Sequence, residues 1–177
     1  MPLRYLNLDD QTRRFMVEEI DMDIASGALY LSPWLTERGR QDWPQLLRDA
    51  AVSGTDATLA AQIPLQGRLA QTAQRKKPKG GFTTYSVPVT APETMAEGEF
   101  NRFYVRGLCR RAIEDGIQQL IIYRAKAVMT PRPGSEEKIG TSVDSAAILA
   151  DLRTTIGVEP ALGMPPGPNS GLTLKLP

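Results

Sequence analysis

The sequence predicts an α+β fold, because segments with helical spacing of apolar residues alternate with short, mostly apolar or alternating segments. The helical spacing recurs near both ends of the 177-residue chain. Between them lies a long stretch without helical periodicity. We therefore expect two small helix-plus-short-strand parts, at residues 1–64 and 93–177, joined by a long extended basic arm at residues 65–92.

The first helix is predicted over Asp10–Ser26. Asp9 or Asp10 can cap the free amide groups of its first turn, and Gly27 supplies a left-handed stop. Residues four apart form a single apolar stripe on this helix, which indicates one face turned to a core. The stripe consists of Met16, Ile20 and Ile24.

Two further helices are predicted at residues 36–53 and 55–63. Thr36 is a good capping residue for the first of them, and Pro64 ends the second. Pro44 predicts that the regular part of the longer helix begins only at Trp43 or Pro44, since proline disrupts a helix interior. The core-facing stripe of this helix is Trp43, Leu46, Leu47, Ala50 and Ala51.

The arm at residues 65–92 has no apolar period and ends in β-prone residues. A stretch this long without regular structure is usually a linker or a functional segment. Residues 82–89 favour a strand, and Pro88 restricts that strand to the edge of a sheet, in this fold or in a neighbouring protein.

The strongest helix prediction is residues 93–115, ended by Gly116. Residues 120–125 are mostly apolar, which is typical of a buried strand, and residues 129–140 are predicted to be a loop. The apolar stripe of the helix is Phe100, Phe103, Tyr104, Leu108 and Ala112.

The sequence then predicts a helix at residues 144–155, which is capped by Asp144 and ended by Gly157. A stiff Pro/Gly connector follows at residues 164–171. The last element is a half-buried strand at residues 172–176, in which leucines alternate with polar residues. The sequence leaves open whether the two helical parts share one core.

The composition excludes several chemistries. The chain has no histidine, which removes the commonest general base and metal ligand. Cys109 is the only cysteine, so no intramolecular disulfide can form, which fits a reducing compartment. No signal peptide and no run of about 18 apolar residues is present. We expect a soluble, intracellular-type protein without metal, cofactor or catalytic residues.

Three arginines, Arg102, Arg106 and Arg110, are spaced four apart and therefore lie on one face of the predicted helix. Such a row of guanidinium groups can bind phosphates or carboxylates of a partner. The alternative is an ordinary solvated face, tied to Glu99 and Glu114 by weak pairs along the same helix.

A second basic cluster, Arg75, Lys76, Lys77 and Lys79, lies in the arm. With a net charge of only +1, electrostatic recognition depends on such local clusters. Counterion release would let them bind nucleic acid, with Phe82 and Tyr85 as stacking side chains. A solvated linker or a dock for an acidic protein surface is the favoured interpretation.

Two other candidates have simpler explanations. Asp21 and Asp23 resemble a metal-binding Asp-x-Asp, but residues two apart on a helix point in different directions. Glu19 and Asp23 share a face, yet two carboxylates without a third ligand make a poor metal cage. Cys109 is surrounded by arginines, but a buried structural cysteine is the more common case.

Three blocks of the sequence resemble small proteins of tailed-phage and prophage genomes. They are LDDQTRRFMVEEIDMDIASGALYLS, then EFNRFYVRGLCRRAIEDGI with LIIYRAKAV and PRPGSE, and finally PPGPNSGL. The resemblance covers about two-thirds of the chain and omits the arm. It implies a virion component, of a head-associated or decoration type, and transfers no active-site residue.

We therefore hypothesise a non-enzymatic structural protein of a phage particle, assembled in the bacterial cytoplasm, which contacts other virion proteins or copies of itself. The alternative is a small nucleic-acid-binding accessory protein that uses the arm and the arginine row. No membrane contact is expected. The predicted partner-binding residues are Arg75, Lys76, Lys77, Lys79, Phe82, Tyr85, Arg102, Arg106, Arg110, Leu172 and Leu174.

Overall fold

A computed structural model describes residues 2–129, 131, 134–155 and 171–177. Within these ranges the chain forms six helices, a two-stranded sheet and a three-stranded sheet, which confirms the predicted α+β class. The helices are α1 (Asp10–Ser26), α2 (Glu37–Ser53), α3 (Asp56–Gln62), α4 (Ala91–Glu114), α5 (Ser135–Lys138) and α6 (Ser145–Thr154). The strands are β1 (Thr72–Lys76), β2 (Phe82–Ser86), β3 (Gln119–Arg124), β4 (Ser142–Asp144) and β5 (Leu172–Lys175).

Helices α1 and α6 begin at the residues whose capping chemistry indicated it, and α1 also ends where predicted. The Asp9 side chain accepts a hydrogen bond from the Thr12 amide at the start of α1, and Gly27 ends it with φ 69°. The Asp144 carboxylate accepts from the Ala147 amide at 2.7 Å at the start of α6. These contacts satisfy backbone groups that a helix terminus leaves without partners.

The prediction that Pro44 delays the second helix is wrong. Helix α2 begins at Glu37, with the Thr36 hydroxyl accepting from the Gly39 amide at 3.1 Å, and Pro44 lies inside it. A proline in a helix removes one backbone hydrogen bond. Here Trp43 and Leu47, on either side of it, are almost fully buried, and this burial offsets the loss.

Helix α4 is the centre of the molecule. Helix α1 packs along it, and α3 and α6 also contact it. One apolar core cluster joins Met16 and Trp43 from the N-terminal part to Phe100, Leu149 and Leu174 from the C-terminal part. The question that the sequence left open is therefore answered: the two helical parts share one core.

Helices α1 and α4 approach closely because Gly107 faces α1. A Cβ atom at position 107 would lie 2.7 Å from Met16 Cγ, 2.9 Å from the Met16 amide nitrogen and 2.9 Å from the Thr12 carbonyl oxygen. Two of these neighbours are backbone atoms, which cannot move without moving the helix. The missing side chain therefore sets the distance between the two helices.

The three-stranded sheet has the order β4-β3-β5, with both pairs antiparallel. The predicted strand at residues 120–125 corresponds to β3, and the last predicted strand to β5. Residues 129–140, predicted to be a loop, contain the short helix α5. The predicted stop at Gly157 and all but the last residue of the connector at 164–171 lie outside the described residues.

The arm at residues 65–92 is not a single extended segment. A short 3₁₀ turn at Leu65–Gly67 is followed by β1 and β2, which form an antiparallel hairpin with Thr72 opposite Ser86 and Lys76 opposite Phe82. Prolines do not prevent this, because Pro78 lies in the turn and Pro88 follows β2. The strand predicted at residues 82–89 is present over Phe82–Ser86.

We expect Gly107→Ala to destabilise the protein by roughly 1–3 kcal/mol, because the added methyl group forces α1 away from α4. Gly98→Ala in the same helix is the matched control, since a Cβ atom at position 98 would meet no neighbouring element within 4 Å. It should stabilise by up to about 1 kcal/mol through helix propensity. Urea denaturation followed by circular dichroism measures the unfolding free energy of both variants. Equal changes in the two variants would contradict the close approach of α1 and α4 at Gly107.

Candidate interaction surface

The hairpin formed by residues 72–86, called here the basic hairpin, is closed by a turn at residues 77–81. The Lys77 amide donates to the Gly81 carbonyl at 2.9 Å, and the Gly80 amide donates to the Lys77 carbonyl at 3.1 Å. Gly80 and Gly81 have φ angles of 92° and 77°. Because side chains rarely adopt such angles, the Gly-Gly pair accounts for the turn at this point.

The base of the basic hairpin is fixed to the helical body. The Trp34 indole donates to the Tyr85 hydroxyl at 3.0 Å, and the Ala70 amide donates to the Trp34 carbonyl at 2.8 Å. Leu35 and Leu69 form an isolated antiparallel bridge. The base is therefore held, while residues 74–82 are exposed along both strands and the turn.

The tip of the basic hairpin combines positive charge with an exposed ring. Lys76, Lys77 and Lys79 form no ion pair with any residue in the described part of the chain. Phe82 is 66% exposed. The Arg75 guanidinium lies 5.7 Å from the centre of the Tyr85 ring, which holds this arginine beside the strand by a cation–π contact.

The arginine row on α4 was predicted to be open to a partner, but its guanidinium groups bind other groups of the same chain. Arg106 is 1% exposed. Its guanidinium donates to Glu19 at 2.9 Å and to both carboxylate oxygens of Asp23 at 2.7 and 2.8 Å. The predicted partner-binding role of Arg106 is thus corrected: its partners are the two carboxylates that share a face of α1.

Glu19 is the centre of this group of charges. Besides Arg106, it accepts from Arg110 at 3.0 Å and from Arg153 of α6 at 2.5 Å. Burial alone would raise the pKa of Glu19, but hydrogen bonds from Arg153, Arg106 and Arg110 outweigh it and lower the pKa to about 2. The Glu19 cluster, as we call it, consists of Glu19, Asp23, Arg106, Arg110 and Arg153.

Arg102 and Arg110 also bind groups of the same chain. Arg102 is 2% exposed and donates to the carbonyl oxygens of Leu152 and Thr155, at the C-terminal end of α6. A cation is favoured there, because a helix C-terminus carries partial negative charge. Arg110 pairs with Glu18 at 2.9 Å as well as with Glu19. The row binds inward rather than presenting a free face to a partner.

The two leucines of the predicted partner strand are internal as well. Leu172 and Leu174 are 2% and 0% exposed, and β5 pairs with β3 of the same chain. On the side of α4, the Asn101 amide donates to the Leu172 carbonyl and the Tyr104 hydroxyl donates to the Leu174 carbonyl, both at 3.1 Å. These contacts replace the predicted contact with another protein.

Glu99 is a buried acid without a matching hydrogen bond. It is 7% exposed, and its Oε2 atom has no partner among the described residues. Burial raises its pKa to about 7, with Arg102 and Arg106 opposing the shift and Asp23 adding to it. Glu99 therefore keeps its proton at mildly acidic pH.

Cys109 is fully buried, and burial raises the pKa of its thiol to about 12. This agrees with the structural role favoured from the sequence, since a reactive cysteine requires a lowered pKa. Among the described residues, no group of three or more potential metal ligands is found. In the same ranges, no helix is both long and apolar enough to cross a membrane.

A groove of about 600 Å³ lies between α3 and the start of α4. Its walls are mostly small and apolar, while Asp56, Glu93 and Glu97 supply carboxylates; we call it the acidic groove. Asp56 is 1% exposed and accepts from the Leu3 amide through Oδ2 at 2.9 Å, but its Oδ1 atom has no partner among the described residues. No pattern in the sequence indicated this groove, because Asp56 resembles an ordinary residue in the first turn of a helix.

Comparisons of the chain with protein-family models, with curated proteins and with solved structures found no match.

We expect Glu19→Gln to destabilise the protein by roughly 3–5 kcal/mol, because it removes a charge from a buried group of arginines. In the native protein this stabilisation is present above pH 4.5, the ordinary pKa of Glu19, and is lost as pH falls toward the folded pKa of about 2. Denaturant unfolding at pH 7 measures the difference.

Glu114→Gln is the matched control for this change. Its exposed pair with Arg14 has side chains 54% and 56% accessible, so its loss should cost less than about 1 kcal/mol. If the two substitutions cost the same, the Glu19 cluster does not hold α1 on α4.

We expect Glu99→Gln to flatten the dependence of stability on pH. The folded carboxyl keeps its proton up to about pH 7, whereas in the unfolded chain it titrates near 4.5. Rising pH between these values therefore favours the unfolded protein, by at most about 3 kcal/mol. Unfolding free energies measured from pH 5 to pH 8 should fall less for the variant, and an unchanged slope would contradict the assignment.

Proposed function

We propose that this chain is a non-enzymatic structural or assembly protein that binds other proteins through the basic hairpin. The observation that supports this is the contrast between two sets of cations. The arginines of α4 are bound to groups of the same chain, whereas Lys76, Lys77 and Lys79 are exposed beside Phe82 without ion pairs among the described residues. The hairpin therefore presents a cluster of positive charges that is open to a partner.

The chemistry of the basic hairpin suits a protein partner. A two-stranded sheet has outer strand edges that can add a strand from another chain. Its lysines attract an acidic surface and raise the rate of encounter, while the Phe82 ring adds apolar area once the surfaces meet. The fixed base lowers the entropy that must be lost on binding.

The resemblance of three sequence blocks to small proteins of tailed phages supports a role in the virion. We propose a capsid-associated or decoration-type component, assembled in the bacterial cytoplasm, whose partners are copies of itself or other virion proteins. Repeated contacts between many copies make a modest interface sufficient, because multivalency increases the overall affinity.

Binding of nucleic acid is the competing function. Lysines next to Phe82 and Tyr85 are the kind of side chains that single-stranded nucleic acid contacts. We favour a protein partner, because four positive charges on a chain of net charge +1 provide a weak attraction for a polyanion. The experiment below separates the two functions.

We expect the purified protein to have a mass above the 19.4 kDa of one chain, increasing with concentration and decreasing with salt. The triple variant Lys76→Gln, Lys77→Gln and Lys79→Gln should have the mass of a single chain, because it lacks the charges that attract the partner surface. Light scattering on a sizing column, with the 260/280 nm absorbance ratio recorded, measures both properties.

The control variant removes three positive charges elsewhere, at Arg4, Arg40 and Lys138, each replaced by Gln. It should assemble as the native protein does. Assembly of the triple variant would overturn the role of the basic hairpin, and a single-chain mass for the native protein at every concentration would overturn assembly with copies of itself. A high absorbance ratio that falls in high salt would assign the basic hairpin to nucleic acid instead.

A further inference from the structure

The acidic groove has the properties of a receiving site for a segment that carries both a cation and an apolar group. Its apolar walls are lined by residues of α3, by the chain that follows α3, and by Pro92 in the first turn of α4. The volume of about 600 Å³ lies in the range of pockets that hold sizeable ligands. No basic side chain is among its lining residues.

Asp56 is the second observation that indicates a bound group. A buried carboxylate oxygen without a hydrogen-bond donor is unfavourable, and such atoms are rare in folded proteins. Burial raises the pKa of Asp56, and the negative charge of Glu97 raises it further. Glu97 is itself paired with Lys126, and the carboxyl group of Asp56 is buried, so the exposed Glu93 is the carboxylate of the groove that a cation from outside can reach.

We infer that the acidic groove receives the tip of the basic hairpin from a second copy of this chain. This inference rests on the proposed function and names the partner surface for it. Lys76 and Phe82 are directly opposite each other in the β1–β2 register, so their side chains project from the same face of the hairpin. One face thus offers an ammonium group and a ring to a groove with carboxylates and apolar walls.

The hairpin tip does not lie at the groove of its own chain. Leu69 and Val89, which line the groove, are next to the base of the hairpin, where the Val87 amide donates to the Gln71 carbonyl at 2.9 Å. Strands of five residues carry the tip about 16 Å beyond that base. None of the residues that line the groove belongs to the basic hairpin, so the tip and the groove are at separate places on one molecule, and they meet between molecules.

A contact of this kind is heterologous, since the surface that inserts differs from the surface that receives. Each copy has one of each, so two copies can exchange hairpins reciprocally, or contacts can continue from copy to copy into a larger ring or a filament. The contact area of one hairpin tip is small, which makes assembly dependent on concentration.

The test uses two variants that each lack one surface. The hairpin variant is the Lys76, Lys77 and Lys79 triple Gln substitution. The groove variant is Ala61→Arg with Glu93→Gln, which places a cation on an exposed position of the groove wall and removes a rim carboxylate. Its control is Ala25→Arg with Glu114→Gln, an equal change of charge on other exposed helix positions. Circular dichroism confirms that each variant is folded.

We expect each of the first two variants alone to lose assembly and to have a single-chain mass, while the control assembles. An equimolar mixture of the two should form a dimer of twice 19.4 kDa and no larger species. The intact hairpin of the groove variant then binds the intact groove of the hairpin variant. The two remaining surfaces of the pair are the substituted ones, so no further copy can add. Light scattering of the mixture, at the concentration used for each variant, measures this.

The possible failures are distinguishable. If the hairpin variant loses assembly and the groove variant keeps it, the hairpin binds elsewhere, and this inference is wrong while the proposed function stands. If both variants lose assembly but their mixture stays at the single-chain mass, the hairpin-in-groove pairing is wrong. If the hairpin variant still assembles, the proposed function fails together with this inference.

Discussion

The buried contact between Glu19 and three arginines is the constraint on which the helical arrangement depends. Arg106 from α4 and Arg153 from α6 meet the same carboxylate of α1, and Arg110 pairs with it from the partly exposed side. A charge removed from water is tolerated only if its partners have good geometry. Any sliding of α1 along α4 would break this geometry. The cluster therefore ties α1, α4 and α6 together at one carboxylate.

Packing around the cluster supports the same register. Gly107 lets the α1 backbone approach next to Arg106, and Cys109 and Leu108 fill the space beside it as apolar groups. The guanidinium of Arg106 also lies 4.8 Å from the centre of the Phe103 ring. Close approach and ionic pairing thus depend on each other, because the hydrogen bonds form only at the short distance between helices that the glycine permits.

The same distribution of charges explains why the basic hairpin differs from the rest of the surface. Carboxylates of α1 neutralise Arg106 and Arg110 of α4, and Arg102 binds carbonyl oxygens at the end of α6, so that these cations contribute to folding. Residues 65–92 contain no acid at all, and the lysines of the hairpin tip have no such neighbours in the described part of the chain. Positive charge on the hairpin and negative charge at the acidic groove are therefore separated across the molecule, an arrangement that favours association between molecules.

Local chemistry in the sequence determined all the helices except the short α5, and it determined three of the five strands, β2, β3 and β5. Caps at Asp9, Thr36 and Asp144, the stop at Gly27 and the apolar spacing act within one or two turns, so a short window of sequence is sufficient to predict them. Contacts between distant residues were decided only by the tertiary structure. Arg106 and Glu19 are 87 positions apart, and spacing along α4 shows that the arginines share a face but not which surface that face meets. The complementary pair Glu19 and Asp23, also four apart, was the available signal. The burial of Leu172 and Leu174 and the acidic groove depended likewise on neighbours far along the chain, because burial is a property of the assembled fold. The hairpin is local, since only residues 77–81 separate its two strands, and the Gly80-Gly81 pair was the signal for its turn.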